Sequence, residues 1–227
     1  MCRRKERDIW CKRRVGAGHA LAKQHHPDSA TTAGADFARL KDAYDELLAK
    51  GIQYQSKEDW RKAGKAYREA IALEPDKPVA YFNLGITLDG SGHKVEAAQR
   101  YLEAKERLQE RSPVGSVWAA ATARAFNMLK REACAEVAKP EWWNDEGLKA
   151  LSARVVRAAP DDVAANRMRA FVLAGRFATW EVGPRSAAEL REAATHFERA
   201  AALHPAPVFK ADFADLAGQC RRQAAAI

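Results

Sequence analysis

The chain has 227 residues, enough for one large or two small domains, and its formal net charge is +8. Hydrophobic residues make up 47% of the chain and charged residues 30%, the balance of an ordinary soluble globular protein. No run approaches the roughly 18 apolar residues that a membrane span needs, and the first residues lack the apolar core of a secretory signal. We therefore expect an intracellular protein without membrane binding, in the cytoplasm or alternatively the nucleus.

Residue chemistry excludes several other function classes. The cysteines stand at positions 2, 11, 134 and 220. No pair has C-x-x-C spacing, and no histidine lies at metal-ligand spacing from any of them in the sequence, which predicts reduced thiols. There is no glycine-rich phosphate loop, no order of residues typical of a nucleophilic triad and no clustered pair of carboxylates. We therefore predict a protein that is not an enzyme and that needs no metal or cofactor.

Much of the excess positive charge lies in the first fourteen residues. The basic residues there, opposed only by Glu6 and Asp8, are Arg3, Arg4, Lys5, Arg7, Lys12, Arg13 and Arg14. Such a segment is either a solvated arm or a surface for an acidic partner or nucleic acid. No aromatic residues are interleaved with the basic ones, so nucleic-acid binding is the less favoured interpretation.

The predicted elements begin with a helix over residues 1–25. Pro27 disfavours the α conformation at His26, so this helix should end near His25. Residues 28–35, which contain Ser, Thr and Gly, predict a connecting loop. Asp36 is a good N-cap for the next helix, and the apolar positions after it lie on one helical face. These positions are Phe37, Leu40, Tyr44, Leu47 and Leu48.

The tripeptide His26-Pro27-Asp28 followed by this helix resembles the J domain of DnaJ-type (Hsp40) cochaperones. The resemblance covers roughly residues 10–50 and includes Leu21-Ala22 before the tripeptide. The family's helix after the tripeptide has characteristic offsets that Phe37, Leu40, Ala43, Tyr44 and Leu47 match. The family's first short helix is missing, Gly18 replaces an aromatic residue, and Ser29 replaces a lysine.

The resemblance implies a partner and a set of contacts. In the family, the tripeptide loop and the preceding basic helix bind an Hsp70 chaperone and stimulate its ATPase. Carried over to this chain, His26 and Asp28 would make the polar contacts and Pro27 would fix the loop. Arg13, Arg14 and Lys23 would supply complementary charge. The alternative is a vestigial segment that serves only as a cap for the helical hairpin next to it in the chain.

A 34-residue repeat occupies the next part of the sequence. Gly51, Tyr54, Ala63, Tyr67 and Ala70 recur as Gly85, Leu88, Ala97, Tyr101 and Ala104. This pattern resembles the tetratricopeptide repeat (TPR), with one repeat near 44–77 and a second near 78–111. Small residues at the Gly and Ala positions would let the two antiparallel helices of a hairpin approach closely, and the aromatic residue at the centre of the second helix would fill the space between neighbouring hairpins.

Tyr44 and Leu47 belong to both patterns. One helix from residue 37 to about 55 would serve both modules, whereas a break at Lys50-Gly51 would let them articulate. The sequence predicts three domains. Residues 1–50 form a truncated J-domain-like helix pair, and residues 44–111, which overlap it, form two TPRs. Residues 112–227 form degenerate TPR-like helices and a capping helix.

The second half of the chain predicts further helices. One long helix should cover 113–138 with Val117, Ala121, Phe126 and Leu129 inward. Trp142 and Trp143 either bind a partner or, as we favour, fill a corner between hairpins. Ser186 and Glu189 form a capping box. The remaining predicted segments are helix 145–158, helix 161–175, an inserted loop from Gly175 to Arg185, a helix from Ser186 that pairs with helix 161–175, and a capping helix 207–222.

These patterns predict an all-α protein, a TPR-like solenoid with a J-domain-like helix pair at its N-terminus. The leading function is an Hsp70 cochaperone or adaptor whose TPR groove holds another protein or peptide. The alternative is a TPR interaction scaffold with an inactive J segment. Asn83 fits one position of the two-carboxylate clamp of some TPR proteins, but Leu48 and Ile52 replace the other residues, so we predict no clamp.

Overall fold

The computed structural model describes residues 29–111, 115–177 and 179–227. The predictions for residues 1–28, including the first helix, the basic arm and His26-Pro27-Asp28, lie outside these ranges. The described residues confirm the predicted all-α class. Their helices are α1 (Ser29–Ser56), α2 (Trp60–Leu73), α3 (Pro78–Gly90), α4 (Lys94–Arg111), α5 (Ser116–Leu129), α6 (Asp145–Ala158), α7 (Val163–Ala174), α8 (Ala187–Leu203) and α9 (Pro207–Ala225).

Helix α1 begins earlier than predicted and has no break. It is helical from Ser29, so the loop predicted up to residue 35 and the N-cap at Asp36 are wrong. It also runs through Lys50-Gly51 without interruption. Extending an existing helix costs less than nucleating a new one, which explains why a Ser- and Thr-containing stretch joins it. Phe37, predicted to face inward, is 64% exposed.

The chain divides into two compact units, with the boundary inside α1 between Asp45 and Glu46. In the first unit, the described residues belong to α1, where Leu40 is half-buried and Tyr44 is buried. The second unit, Glu46–Ile227, contains the rest of α1 and helices α2 to α9.

The first two hairpins of the second unit are built on the same contact. In one hairpin the ring of Tyr67 on α2 lies directly against Gly51 on α1, and in the next the ring of Tyr101 on α4 lies against Gly85 on α3. A methyl group on Gly85 would come within 2.7 Å of Cε1 of Tyr101, and one on Gly51 would come closer still to Tyr67. Both tyrosines are fully buried. The close approach predicted from the 34-residue repeat is therefore confirmed.

Helix α5 is shorter than the predicted helix 113–138. It ends at Leu129, and a 3-10 turn (Glu132–Cys134) and irregular chain come after it. The ammonium group of Lys139 donates to the carbonyl of Leu129 at 2.7 Å, which satisfies a terminal group of the helix. Because the chain is no longer α-helical after Leu129, Cys134 and Val137 can be buried in the core. At the start of α5, Trp118 is buried and Val117, predicted inward, is 38% exposed.

Trp143 fills a corner of the core, as predicted. Its side chain is buried, and its indole N–H donates to the carbonyl of Thr179 at 2.8 Å. It packs edge-on against Trp180 of the inserted loop at 6.0 Å between ring centroids. The loop between α7 and α8 is therefore part of the packed interior.

An ion pair holds the inserted loop to α6. Both guanidinium Nη atoms of Arg185 donate to the carboxylate of Asp145, at 2.8 and 2.5 Å, and Arg185 also donates to the carbonyl of Val172 at 3.1 Å. The hydrogen bonds from Arg185 hold the pKa of Asp145 well below its usual range. Replacing one partner of such a pair strands the other charge in the core.

Helices α7 and α8 pack together as the predicted hairpin with its inserted loop. Gly175 ends α7 in the left-handed conformation with φ 61°, which favours glycine. The capping box of Ser186 and Glu189 is present at the start of α8. Helix α9 covers the end of the stack with Phe213, Ala217 and Cys220 buried. No helix among the described residues is long and apolar enough to cross a membrane.

The glycine–tyrosine contact predicts the effect of one methyl group. Gly85→Ala should lower the free energy of unfolding by about 1–3 kcal/mol, because the added carbon overlaps the Tyr101 ring. Gly218→Ala is the matched control, since its methyl group would meet only the flexible end of Arg222 at 3.4 Å. The free energy of unfolding of this control variant should equal that of wild type or exceed it by up to about 1 kcal/mol. Urea unfolding followed by circular dichroism measures both, and a Gly85→Ala variant as stable as wild type would contradict the contact.

Candidate functional site

The site residues predicted from the sequence are not brought together by the described structure. Arg13, Arg14, Lys23 and the His26-Pro27-Asp28 tripeptide lie outside the described residues. Asn83 is half-buried on α3, and its backbone carbonyl accepts a hydrogen bond from the hydroxyl of Thr87 at 3.0 Å. Their assignment as a binding site stays a prediction.

The structure places a different set of polar residues around a cavity of about 420 Å³. The cavity lies along α5, between the end of α3 and the start of α7. Arg124, Asn127 and Arg131 reach it from α5 and the turn just after it, and Arg167 reaches it from α7. Arg124 and Asn127 are spaced i and i+3 on α5, so they share one face of that helix, and Arg131 follows in the turn. We call this site the arginine cavity.

Aromatic rings support two of the arginines. The guanidinium carbon of Arg124 lies 5.7 Å from the ring centroid of Phe82 and 5.9 Å from that of Tyr101. That of Arg167 lies 5.6 Å from the ring of Phe171 and 6.0 Å from that of Phe213. Contacts of this kind restrict the side chain while leaving N–H groups of the guanidinium fork to bind an anion.

The carboxylates that line the arginine cavity are engaged elsewhere. Asp89, at the end of α3, forms an ion pair with Lys94, whose ammonium also donates to the Asp89 carbonyl at 2.7 Å. Asp162 caps α7 by accepting from the backbone N–H of Ala165 at 2.7 Å. Among the described residues, no carboxylate lies within ion-pairing distance of Arg124, Arg131 or Arg167.

A fourth cation adjoins the cavity. The ammonium of Lys130 lies 4.2 Å from the ring centroid of Phe171 and 4.3 Å from that of Phe177. Burial, together with the charges of Arg167 and Arg131, lowers the pKa of Lys130 to about 7. Burial and the charge of Arg131 likewise lower the pKa of Arg167. The cations at this site thus repel one another, the aromatic rings offset only part of that repulsion, and none of the cations forms an ion pair with a carboxylate of the described residues.

Two buried polar atoms at the cavity also lack a partner. The donor Nε of Arg167 and the acceptor Oδ1 of Asn127 are both buried, and neither has a hydrogen-bond partner among the described residues. Each such group costs on the order of 1–3 kcal/mol. Unpaired charge and unpaired polar atoms therefore coincide at one place, which is typical of a binding site that is completed by its ligand.

A larger cavity, of about 590 Å³, is different in character. It lies between α2 and the α3–α4 turn, and its walls mix Asp59 and Glu96 with Arg61 and Arg68. Asp59 is already paired with Lys62 and caps α2. The mixture of signs favours no particular ligand charge.

The described residues contain no cluster of three or more His, Cys, Asp or Glu side chains that could hold a metal ion. Cys134 and Cys220 are buried free thiols, and burial raises the pKa of each. The thiolate is the nucleophilic form, so both cysteines are suited to packing rather than to reaction.

The arginine cavity was not predicted from the sequence. Its arginines at positions 124, 131 and 167 form no sequence motif, and α7 approaches α5 only in the folded chain. The local signal was the i, i+3 spacing of Arg124 and Asn127, which are polar residues on a helix whose other positions are mostly apolar.

The stacked hairpins, of which the first two are built around a glycine facing a tyrosine ring, define an α-solenoid of the TPR type. Two solved structures share this fold. The crystal structure of MamA protein is 13% identical, has a TM-score of 0.52, and the match covers 82% of this chain and 87% of that one. TTC0263, a thermophilic TPR protein in Thermus thermophilus, is 19% identical with a TM-score of 0.50, and the match covers 80% and 86%.

A smaller part of the chain matches a curated protein sequence. Over 86 residues, or 38% of this chain, the sequence is 33% identical to cellulose synthase operon protein C of Pseudomonas fluorescens (strain SBW25). The matched region spans 6% of that protein's length. No protein-family model matches the chain. The solved structures and the packing of the hairpins agree on the TPR-type fold of the solenoid.

The setting of Lys130 predicts a pH-dependent stability. Its folded pKa of about 7 lies below the value of about 10.4 in an unfolded chain, so the unfolded state binds more protons between these values. Stability should therefore rise with pH across this window, by about 2 kcal/mol once ring–cation attraction offsets part of the shift. Lys130→Met should abolish that rise and be more stable than wild type at pH 7.

Urea unfolding at several pH values between 6.5 and 10 tests this prediction. Lys210→Met is the control, because Lys210 is exposed on α9 and should change stability by no more than about 0.5 kcal/mol at any pH. Parallel pH profiles for wild type and Lys130→Met would show that Lys130 is not the responsible group.

Proposed function

We propose that this chain is a TPR protein–protein interaction scaffold that binds an extended segment of a partner protein against α3, α5 and α7. The observation that carries the proposal is the arginine cavity, a concave site with unpaired cations and unpaired buried polar atoms. Helices held rigidly by their hairpin partners present such a surface without reorganisation, which lowers the entropic cost of binding.

A selection experiment tests the scaffold function. Peptides selected from a displayed library of twelve-residue sequences on the full chain should lose at least tenfold in affinity for Ala164→Trp. Ala164 lines the arginine cavity and is half-buried, so a large side chain there should fill the cavity and leave the fold intact. Ala188→Trp, in the first turn of α8 and away from the cavity wall, is the matched control. Peptides that bind both variants as tightly as wild type would refute binding at this site.

A second candidate function is that of an Hsp70 cochaperone. It is supported by the His26-Pro27-Asp28 tripeptide and by the J-type offsets of Phe37 and Tyr44 in the sequence. In this hypothesis the tripeptide engages the chaperone while the solenoid holds another protein. The observations at the arginine cavity favour the scaffold function, which does not require an active J segment.

The steady-state ATPase of an Hsp70-type chaperone distinguishes the two functions. A working J segment predicts stimulation that Asp28→Asn abolishes, because the family uses the aspartate for a polar contact. Asp36→Asn is the matched control: it makes the same chemical change at an exposed position of α1 and should leave stimulation intact. An ATPase rate unchanged by the wild-type protein would eliminate the cochaperone function and leave the scaffold.

A further inference from the structure

The arginines of the cavity stand on either side of an amide side chain. Arg124 lies on α5, and Arg131 follows two residues after α5 ends, in extended backbone with ψ 142°. Asn127, which lies between them in the chain and lines the same cavity, can pair with a peptide backbone. Residues i and i+3 of an extended or polyproline-II segment are separated by about 9–10 Å. An extended segment can therefore present two carboxylates to the cavity from one of its sides.

The charges around the cavity determine the sign of the charge that a ligand should carry. Arg124, Arg131 and Arg167 converge on one cavity, Lys130 adjoins it, and the nearby Asp89 and Asp162 are occupied by Lys94 and by the cap of α7. Bringing these cations together costs free energy that the described residues recover only in part. A ligand carboxylate would both attract the cations and relieve their mutual repulsion.

We propose that the arginine cavity binds an acidic segment of a partner protein, with Asp or Glu carboxylates held by Arg124, Arg131 and Arg167. The inference rests on the proposed scaffold function and adds the chemical class of the partner. Arg124 and Arg167, restricted by their aromatic neighbours, present N–H groups for bidentate pairing with carboxylates. Arg131 is exposed and lines the same cavity.

An acidic protein segment fits better than nucleic acid. The cations form a compact cavity and not a track along which a phosphate backbone could continue. Asp89 and Asp162 line the same cavity and would oppose a uniform polyanion, whereas a peptide can place neutral residues beside them. Phe82 and Phe171 lie beneath the arginines and are not open for stacking against bases.

Fluorescence anisotropy with defined probes tests the proposal. The probe is a twelve-residue peptide with Asp or Glu at every third position, and the control peptide carries Asn or Gln at those positions. The protein is the full chain, as wild type, Arg131→Gln and Arg191→Gln. Arg191 is an exposed residue of α8 remote from the cavity wall, so the two variants lose the same charge.

We expect the acidic peptide to bind wild type and Arg191→Gln equally, and to bind Arg131→Gln at least tenfold more weakly. The amide peptide should bind wild type at least tenfold more weakly than the acidic one, and added salt should weaken the acidic complex. Equal binding to wild type and Arg131→Gln would overturn the inference and assign binding to another basic region, such as residues 3–14. Absence of binding by the acidic peptide would also overturn it.

Two further outcomes separate this inference from the proposed function. If library peptides sensitive to Ala164→Trp are neutral or basic, the scaffold function stands and the acidic-partner inference fails. If a single-stranded oligonucleotide of matched charge binds at least as tightly as the acidic peptide, and with the same dependence on Arg131, the inference fails in favour of a nucleic-acid ligand. If Ala164→Trp affects no selected peptide, the proposed function itself fails.

Discussion

The second compact unit of this protein depends on the contact between a glycine and a tyrosine ring across each of its first two hairpins. Gly51 and Gly85 allow α1 and α3 to approach the rings of Tyr67 and Tyr101, so that each helix pair packs closely. Side chains larger than hydrogen at those positions would push the helices apart. Because each hairpin stacks on the next, a change in one interhelical distance would alter the position of every later helix.

The arginine cavity is a consequence of that stacking. Helix α5 packs against both α4 and α7, which places a residue of α7, Arg167, near Arg131. The aromatic residues that support the arginines, Phe82 on α3 and Phe213 on α9, come from helices far apart in the chain. The packing that stabilises the solenoid therefore also orients the binding groups. In the proposed function, binding and stability oppose each other here, because the converging cations cost free energy until an anion binds.

The inserted loop connects the core to this site. Arg185 joins the loop to Asp145 of α6 by an ion pair, and Trp180 packs against Trp143. One polar and one apolar contact therefore hold the loop to the rest of the core. The ring centroid of Phe177, in the same loop, lies 4.3 Å from the ammonium of Lys130. An insertion that interrupts the repeat pattern thus supplies part of the environment of a cation beside the cavity.

The sequence by itself determined the all-α class, the 34-residue register of the first two hairpins and the capping box at Ser186. Each of these depends on spacing within a short segment, where small residues, aromatic rings and caps act locally. Tertiary structure decided that α5 stops at Leu129 so that Cys134 and Val137 can be buried, and that Phe37 is exposed. It also decided the candidate site, because Arg124, Arg131 and Arg167 meet only when α5 and α7 pack together, and no local pattern records which helices become neighbours.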